Sequence, residues 1–362
     1  MKKLVIISDT IRRDLQQPLR YFSKFIIIHL YRNANYGDMK KQDFFNTRQF
    51  AGYADLWRKL KSIDPDIVQA PEPYAGYGRF RISLKNSLLC LTVFAYCLSR
   101  KKQYFIPVFE NLSPGEKYGH VRGGIISWFA KKYCQRARLF FCMNEGAIKN
   151  LERLGIDKSQ IVKAMWGVWG VDLDEFKPGG EREARPTLLF VGRLEVKKGI
   201  PDLIEAFVTI NKEMPNVCLL VAGDGALKSE LQSMDNVEVL GVVKHSEIPA
   251  LFRKSWLTVS PSAKTRDWAE QVGMVNVQSI ACGTPVISTN SGSISEYMDK
   301  SFSVLVPEHS PEALAREIIS LLKNSERRKS MGRNGLDYAA ARYDARKNII
   351  KMEQVLSEVF GD

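Results

Sequence analysis

The clearest chemical signal in the sequence is the segment LLFVGRLEVKKGIPDLIEAF. Its apolar run Leu188–Val191 predicts a buried strand, Gly192 allows a tight turn, and a helix is predicted from about Pro201. The loop between them carries Arg193 and Lys198. A guanidinium fork and an ammonium group beside a helix N-terminus suit a diphosphate, whereas a solvated basic loop is the plainer alternative.

A second loop follows the next predicted strand of the same half. The strand Val217–Ala222 ends in Gly223, Asp224 and Gly225, and a helix comes after them. A single G-x-G is weak by itself because tight turns need glycine anyway. Its value lies in its position, since the carboxyl ends of parallel strands share one edge of a sheet.

A third segment places an acidic side chain before a helix. Glu270 precedes a turn at Gly273, and the pattern predicts a helix from about Met274 to Ala281. A carboxylate near a helix N-terminus is electrostatically favourable and can accept hydrogen bonds from sugar hydroxyls. The same position also fits a simple helix-entry charge without a ligand.

Short apolar runs alternate with amphipathic ones along both halves, which predicts two mostly parallel sheets covered by helices. The predicted strands of the first half are Leu4–Ser8, Phe25–His29, Ile67–Ala70, Tyr104–Val108, Leu139–Met143 and Ile161–Met165; those of the second half are Thr187–Val191, Val217–Ala222, Val237–Leu240, Leu257–Ser260, Thr284–Ser288 and Ser303–Val306. A turn-rich stretch around Pro178 predicts the boundary. We therefore expect domains at 1–178 and 179–344, with a final helix 345–362 completing the first.

The charge of the chain is concentrated in its first half. The net charge is +13 over 362 residues, and residues 1–176 hold 29 Lys and Arg against 16 Asp and Glu, which already gives +13. An anionic membrane surface, an anionic lipid-linked acceptor or nucleic acid would each account for it. The apolar run Leu88–Leu98 is too short to span a membrane and predicts a core helix, with an interfacial helix as the alternative.

The six cysteines form no C-x-x-C pair, and four histidines leave little with which to build a metal site. We expect buried free thiols in a reducing, cytoplasmic compartment.

The second half resembles the catalytic domain of the family 4 retaining glycosyltransferases, of the "glycosyl transferases group 1" type. The resemblance rests on the strand–GR–x4–KG–helix segment, the GDG turn, Pro261-Ser262 and the E-x-x-G…ACGTPVI segment, over about 160 residues. The run from Gly170 to Pro178 is similar to the segment that precedes the family's linker. The resemblance implies the GT-B fold, in which two Rossmann-like domains face each other across a cleft.

The resemblance also implies roles for residues. Arg193 and Lys198 would bind the donor diphosphate and stabilise the leaving nucleotide, and Glu270, the first glutamate of the family's E-x7-E motif, would bind sugar hydroxyls. The implied donor-binding residues are Gly192, Gly223, Asp224, Gly225, Val242, Val272, Gly273, Met274, Val275 and Gln278. No metal and no cofactor is implied, because cationic side chains replace the metal.

Three departures from the family pattern stand out. The second glutamate of the motif is Gln278, which keeps one acceptor oxygen but loses the charge with which relatives bind ribose. The first strand is followed by Ser8-Asp9-Thr10 instead of a glycine-rich loop. Where many relatives have histidine, this chain has Glu110, which would orient a sugar, take up the acceptor proton or simply form a turn; Glu72 is a weaker candidate.

The expected function is transfer, with retention, of a hexose-type sugar from a UDP- or GDP-sugar to an acceptor. A lipid-linked or cell-surface polysaccharide precursor fits the basic half. We expect a cytoplasmic protein, peripheral on the inner face of the membrane, with no nucleic-acid partner. A catalytically impaired nucleotide-sugar-binding scaffold and a sugar-nucleotide epimerase of the same fold are the alternatives.

Overall fold

The computed structural model describes residues 1–34, 45–74, 80–166 and 169–361, without the side chains of residues 14 and 80–84. The chain divides into two compact units, one of residues 1–170, 266–268 and 345–362, the other of residues 171–265 and 269–344. The division at Gly170 and Val171 lies a few residues before the predicted position at 178.

The first unit contains a seven-stranded parallel sheet in the order β3-β2-β1-β4-β5-β6-β7. Its strands are β1 (Lys2–Ile11), β2 (Phe25–Ala34), β3 (Thr47–Gln49), β4 (Ile67–Gln69), β5 (Gln103–Val108), β6 (Leu139–Cys142) and β7 (Ile161–Lys163). Its helices are α1 (Arg13–Gln16), α2 (Tyr53–Ile63), α3 (Phe80–Ser99), α4 (Pro114–Tyr118), α5 (His120–Cys134), α6 (Glu145–Arg153) and the final α13 (Ala345–Phe360). The chain reverses its direction of travel across the sheet at β1, which is the position where open α/β sheets bind ligands.

The second unit contains a six-stranded sheet in the order β10-β9-β8-β11-β12-β13, again with parallel pairs. Its strands are β8 (Thr187–Val191), β9 (Cys218–Ala222), β10 (Val237–Gly241), β11 (Leu257–Ser260), β12 (Val286–Thr289) and β13 (Ser303–Val306). Its helices are α7 (Ile200–Glu213), α8 (Lys228–Gln232), α9 (Ile248–Lys254), α10 (Met274–Ala281), α11 (Pro311–Lys323) and α12 (Ser325–Arg342). The predicted doubly wound parallel sheets are confirmed.

The final helix belongs to the first unit. Ile349, Met352 and Leu356 are buried in one apolar cluster with strand residues of that sheet. The Glu353 carboxylate, also buried, accepts hydrogen bonds from the backbone N–H groups of Ser23 and Lys24 at 2.8 and 2.7 Å. Apolar packing and these bonds together hold α13 against the first sheet.

Two elements of the structure were not predicted from the sequence. Strand β3 was not predicted because Thr47–Gln49 has no apolar run, and α12 was not predicted because it is a largely polar helix. Ser310 occupies the N-cap position of α11, and its hydroxyl donates to the Glu308 carbonyl at 3.2 Å instead of capping the helix.

The cysteines are free, and all but the partly buried Cys218 are buried. Burial raises the pKa of Cys97 and of Cys282 to about 12, which keeps these thiols protonated and unreactive at neutral pH. The prediction of buried free thiols therefore holds for five of the six. Among the helices of the described residues, none combines the length and the apolar character needed to cross a bilayer.

Candidate functional site

The loops after β8 and β9 are joined by backbone hydrogen bonds. Gly192 N–H donates to the Ala222 carbonyl at 3.0 Å, and Leu194 N–H donates to the Asp224 carbonyl at 2.9 Å. A Cβ on Gly223 would lie 1.8 Å from the Gly192 carbonyl oxygen. The glycines of the GDG turn are therefore required because two backbones touch, and the predicted residues of the first two motifs form one structure at the carboxyl edge of the sheet.

Lys198 is positioned by a second backbone contact, between the β8 and β11 loops. It ends a 3-10 turn, and the next residue, Gly199, starts α7 with φ +71°. A Cβ on Gly199 would lie 1.7 Å from the Pro261 carbonyl oxygen, and Ala263 N–H donates to the Lys197 carbonyl at 3.0 Å. Only glycine combines this left-handed conformation with so close a neighbour.

These contacts bring together three side chains that the sequence separates widely. Lys198 Nζ lies 2.7 Å from Glu270 Oε2, and the Ser262 hydroxyl donates to the same oxygen at 3.1 Å. Burial by itself would raise the pKa of Glu270, but the ammonium of Lys198 and the hydrogen bonds outweigh it and hold the pKa below its usual value. Glu270 is thus a fixed carboxylate, able to accept hydrogen bonds from hydroxyl groups.

The backbone of Glu270 is held by the loop after β12. Ser293 N–H donates to the Glu270 carbonyl at 2.9 Å, and a Cβ on Gly292 (φ +56°) would lie 2.2 Å from that carbonyl oxygen. Loops from β8, β9, β11 and β12 therefore meet at one edge of the sheet, as the strand-end argument predicts.

Arg193 is not part of the Lys198 cluster among the contacts described. Its guanidinium lies 3.1 Å from Glu195 Oε1, and Lys197 Nζ lies 3.1 Å from the other oxygen of the same carboxylate. The Arg193 side chain is 49% exposed. An exposed pair of this kind is weak, so an incoming polyanion can compete with Glu195 for the guanidinium.

The amino end of α10 presents backbone donors. Gly273 (φ +72°) is its N-cap residue and, in the described structure, no side chain caps the helix. Met274 and Val275 are the first helical residues, whose N–H groups have no acceptor within the helix. The Val272 side chain is buried, so this predicted donor-binding residue can contribute only its backbone.

Gln278 lies in a row of side chains whose mutual contacts were not predicted from the sequence. It is buried, and its Nε2 lies 3.5 Å from His245 Nε2. On its other side, His245 Nδ1 is 3.9 Å from Glu175 Oε1, and its ring packs against Phe176. Glu175 and Phe176 lie in the run GVDLDEF that carries part of the resemblance, but nothing in the sequence pairs this run with His245.

The remaining predicted donor-binding residues lie at the strand ends on the other side of β8. Asp224 Oδ1 accepts from Gly225 N–H at 2.8 Å and Oδ2 lies 3.3 Å from Lys228 Nζ; the first of these contacts contributes most to holding the pKa of Asp224 below its usual value. Val242 follows β10 with a side chain that is 71% exposed. The Asp224 carboxylate is therefore already bonded to groups of its own turn and helix. Val242, in contrast, provides an exposed apolar surface.

In the first unit, Glu110 is buried and bonded to a cation. Its carboxylate accepts from the buried ammonium of Lys117 and from Leu112 N–H at 3.2 Å. Its own N–H, with that of Phe109, donates to Oε1 of buried Glu72. The Glu110 carboxylate is therefore engaged in an ion pair, which among the predicted alternatives favours a turn-forming role at this strand end.

Burial, followed by the nearby Glu110 charge, raises the pKa of Glu72 to about 8, so Glu72 carries a proton at neutral pH. The folded state then binds this proton where the unfolded state has lost it, and stability falls as pH rises from about 4.5 through 8.

We predict that Glu72→Gln, which mimics the protonated form, reduces this fall of the unfolding free energy with pH, as measured by denaturant unfolding from pH 5 to 9. Glu326→Gln, on the exposed surface, is the control; identical slopes for wild type and Glu72→Gln would contradict the assignment.

A hydrogen-bonded trio joins β1, β2 and α1, and Ser8-Asp9-Thr10 belongs to β1 itself. His29 is buried, with Nε2 at 2.8 Å from the Ser8 hydroxyl and Nδ1 at 2.8 Å from Gln16 Oε1. Burial lowers the pKa of His29 to about 4, which keeps the imidazole neutral. His29 was not predicted as a site residue; it ends the predicted strand Phe25–His29 but lies in the middle of β2 in the structure.

Comparison with known proteins gives the second unit a family match. Residues 172–337 match the model of the family described as "Glycosyl transferases group 1". A D-inositol 3-phosphate glycosyltransferase of Segniliparus rotundus is 32% identical over 191 residues, which are 47% of this chain and 41% of the relative. A GDP-mannose-dependent alpha-(1-6)-phosphatidylinositol monomannoside mannosyltransferase of Mycobacterium tuberculosis is 28% identical over 195 residues, 48% of this chain and 50% of the relative. The chain thus spans about half the length of these relatives, or less.

Solved structures match over the full length. Anabaena HepE, crystallised with UDP and glucose, superposes with a TM-score of 0.76 at 15% identity, covering 99% of this chain and all of HepE. Sucrose-phosphate synthase of Thermosynechococcus elongatus gives a TM-score of 0.75 at 16% identity, covering both chains completely. At such identities the likeness concerns the fold, and the predicted GT-B fold class is confirmed.

Proposed function

We propose that the chain is a retaining glycosyltransferase of family 4 that moves a hexose from a UDP- or GDP-sugar to an acceptor. The observation that carries the proposal is the cluster of Lys198, Glu270 and Ser262 beside the joined loops of Gly192 and Gly223. The family match over residues 172–337 supports it, as do relatives that are named glycosyltransferases.

The donor diphosphate is bound by Arg193, Lys198 and the N–H groups of Met274 and Val275. Each cation is paired with a carboxylate in the structure, Arg193 with Glu195 and Lys198 with Glu270. A diphosphate replaces these partners with a greater charge, and the dipole of α10 favours the same anion. The Glu270 carboxylate is then available to the hydroxyl groups of the transferred sugar.

The nucleoside lies along the loops after β9 and β10. The backbone of the GDG turn, which packs against the β8 loop, borders this region, and the exposed side chain of Val242 can pack against a base. The ribose hydroxyls bond to Gln278, whose neighbour His245 restricts its orientation.

During transfer, the bond between the sugar C1 and the phosphate oxygen breaks and a bond to the acceptor oxygen forms on the same face. The acceptor proton passes to the departing phosphate oxygen, without a protein nucleophile. The charge that develops on the diphosphate is stabilised by Arg193 and Lys198. We propose that these cations make a metal ion unnecessary.

The acceptor is proposed to be a lipid-linked or polysaccharide precursor at the inner face of the membrane, with the chain cytoplasmic and peripheral. The excess of basic residues in the first 176 positions supports an anionic acceptor or surface. The relative from Mycobacterium tuberculosis, whose name specifies a GDP-mannose donor and a phosphatidylinositol-linked acceptor, supports the same class.

The test is turnover of a panel of UDP- and GDP-sugars in EDTA, followed by proton NMR of the first sugar released to water or to an added acceptor. Release of UDP or GDP with an α-anomer from an α-linked donor is the expected result. A β-anomer would contradict retention, and a requirement for metal would contradict the role of the cations. Nucleotide binding without any turnover would identify a nucleotide-sugar-binding scaffold.

Gln278→Glu is predicted to strengthen nucleotide binding. A hydrogen bond to a charged group contributes about 1 kcal/mol more than one between neutral groups, which lowers Kd about fivefold. The measurement is isothermal titration with the preferred nucleoside diphosphate. Gln232→Glu, which adds the same charge to the exposed end of α8, is the control, and an unchanged Kd for Gln278→Glu would show that this side chain is not at the ribose.

A further inference from the structure

Helix α5 exposes a stripe of large apolar side chains, here called the α5 stripe. It consists of Val121, Ile125 and Trp128, which are 79%, 65% and 68% exposed. Their spacing of four and three residues places them on one side of the helix. The opposite side of α5, with Ala130, Tyr133 and Cys134, is buried in the core of the first unit. The core contacts of the opposite side hold the helix in place, and the α5 stripe is not needed for them.

The surroundings of the α5 stripe are basic. Helix α5 contains no acidic residue, and Arg122, Lys131 and Lys132 are exposed on it. From 73 to 144 the sequence holds 12 Lys and Arg but only Glu110 and Glu116 as acids. Glu110 is buried against Lys117, and Glu116 is bonded to Ser113 in the capping box of α4. The charge of Glu110 is thereby neutralised, and a single carboxylate of this stretch, that of Glu116, remains against the exposed cations.

The neighbouring helix also exposes apolar side chains. Helix α3 packs on α5 through Phe94 and Tyr133, whose ring centroids are 5.7 Å apart. Its inner side, with Val93 and Tyr96, is buried, as the core-helix prediction requires. Its outer side still exposes three leucines, Leu88, Leu91 and Leu98, and is followed by Arg100, Lys101 and Lys102.

We propose that the α5 stripe is the element by which the chain docks on an anionic lipid bilayer. The helix lies in the plane of the interface, with Val121 and Ile125 among the upper acyl chains and Trp128 at the headgroups, where its ring and N–H are both accommodated. Lys131 and Lys132 contact lipid phosphates. This assigns to one helix the membrane partner named in the proposed function, but it does not depend on sugar transfer.

Both parts of the surface are needed for binding. A short apolar stripe by itself binds a bilayer only weakly, and exposed lysines by themselves are screened by salt. An apolar stripe bordered by cations on a rigid helix combines the two contributions. A partner protein with an acidic groove would match the charge but would not require lipid, and a second copy of this chain would bring like charges together.

The test is co-sedimentation of the full chain with vesicles of phosphatidylcholine alone and of phosphatidylcholine containing phosphatidylglycerol, at low and high salt. Wild type is expected to bind the anionic vesicles at low salt. Val121→Ser/Ile125→Ser/Trp128→Ser should lower the bound fraction roughly tenfold or more, because binding scales with buried apolar area. Lys131→Glu/Lys132→Glu should lower it on anionic vesicles and remove its salt dependence.

Val208→Ser/Ile350→Ser, which removes two partly exposed apolar side chains elsewhere, is the matched control and should bind as wild type. Melting temperature and the response to nucleotides are measured on every variant, so a failure to fold or to bind donor is seen separately. Absence of binding to anionic vesicles, or equal binding by the triple serine variant, would overturn the proposal. So would a change of that variant from dimer to monomer in light scattering without lipid binding by the wild type.

Discussion

Replacing Arg193 or Lys198 by alanine is expected to lower kcat/KM for sugar transfer by about 10²–10³-fold. Each cation stabilises charge that is greater in the transition state than in the bound donor, so most of the loss should appear in kcat. The measurement is initial release of nucleoside diphosphate from the preferred donor, at saturating and subsaturating concentrations.

The two variants should differ in stability, which separates this account from a general loss of structure. Arg193 is half exposed and its pair with Glu195 contributes about 0–1 kcal/mol, so Arg193→Ala should unfold like wild type. Lys198→Ala leaves the largely buried Glu270 carboxylate without its cation and should be measurably less stable. Lys197→Ala, in the same turn, is the matched control with near-normal turnover. Equal turnover by all three variants would show that the diphosphate does not bind at this loop.

Gly199→Ala is expected to have the largest effect on stability, with a loss of about 3–5 kcal/mol. The new Cβ would lie 1.7 Å from the Pro261 carbonyl oxygen, and a residue with φ +71° is strained even without that clash. Since the same contact positions Lys198, any folded fraction should also bind nucleotide poorly.

Gly180→Ala provides the control for the backbone strain. Gly180 has φ +72° but, among the described atoms, no neighbour within 4 Å of its Cβ position. Its replacement should cost only about 1 kcal/mol. Calorimetric unfolding of both variants measures the difference. A Gly199→Ala protein as stable as Gly180→Ala would show that the β8 and β11 loops are not held together as described.

The sequence predicts the two sheets, and that loops from several strands meet at one edge of the second sheet, because both depend on local patterns. Apolar runs identify the strands, and residues that follow parallel strands must meet at one edge of the sheet. Gly192 and Gly223 were found in this way, whereas Glu270 was found from its place before a predicted helix. The same reasoning fails for Thr47–Gln49, which has no apolar run and pairs only because β2 is beside it.

What the sequence does not predict is set by contacts between distant positions. The sequence predicts that Gly223 is a turn residue. In the structure, glycine is required there because the backbone lies so close to the Gly192 carbonyl that a Cβ would not fit. The ion pair of Lys198 with Glu270, the contact of His245 with Gln278 and the buried pair of Glu110 with Lys117 depend on how loops fold over one another. Glu110 is an example. The sequence suggests a candidate general base because an acid follows a strand, and only the structure reveals the buried Lys117 that pairs with it.

The central claim is that a nucleoside diphosphate binds at the cations of the β8 loop. The most direct test is thermal unfolding with UDP, GDP, ADP and CDP, each with and without EDTA, of wild type, Arg193→Ala/Lys198→Ala and Lys197→Ala. A ligand at about 100 times its Kd stabilises the folded state by about 2.7 kcal/mol. The account predicts that UDP or GDP raises the melting temperature of wild type and Lys197→Ala, equally in EDTA, and leaves the double variant unchanged. An increase that persists in the double variant, or no increase with any nucleotide, would contradict it.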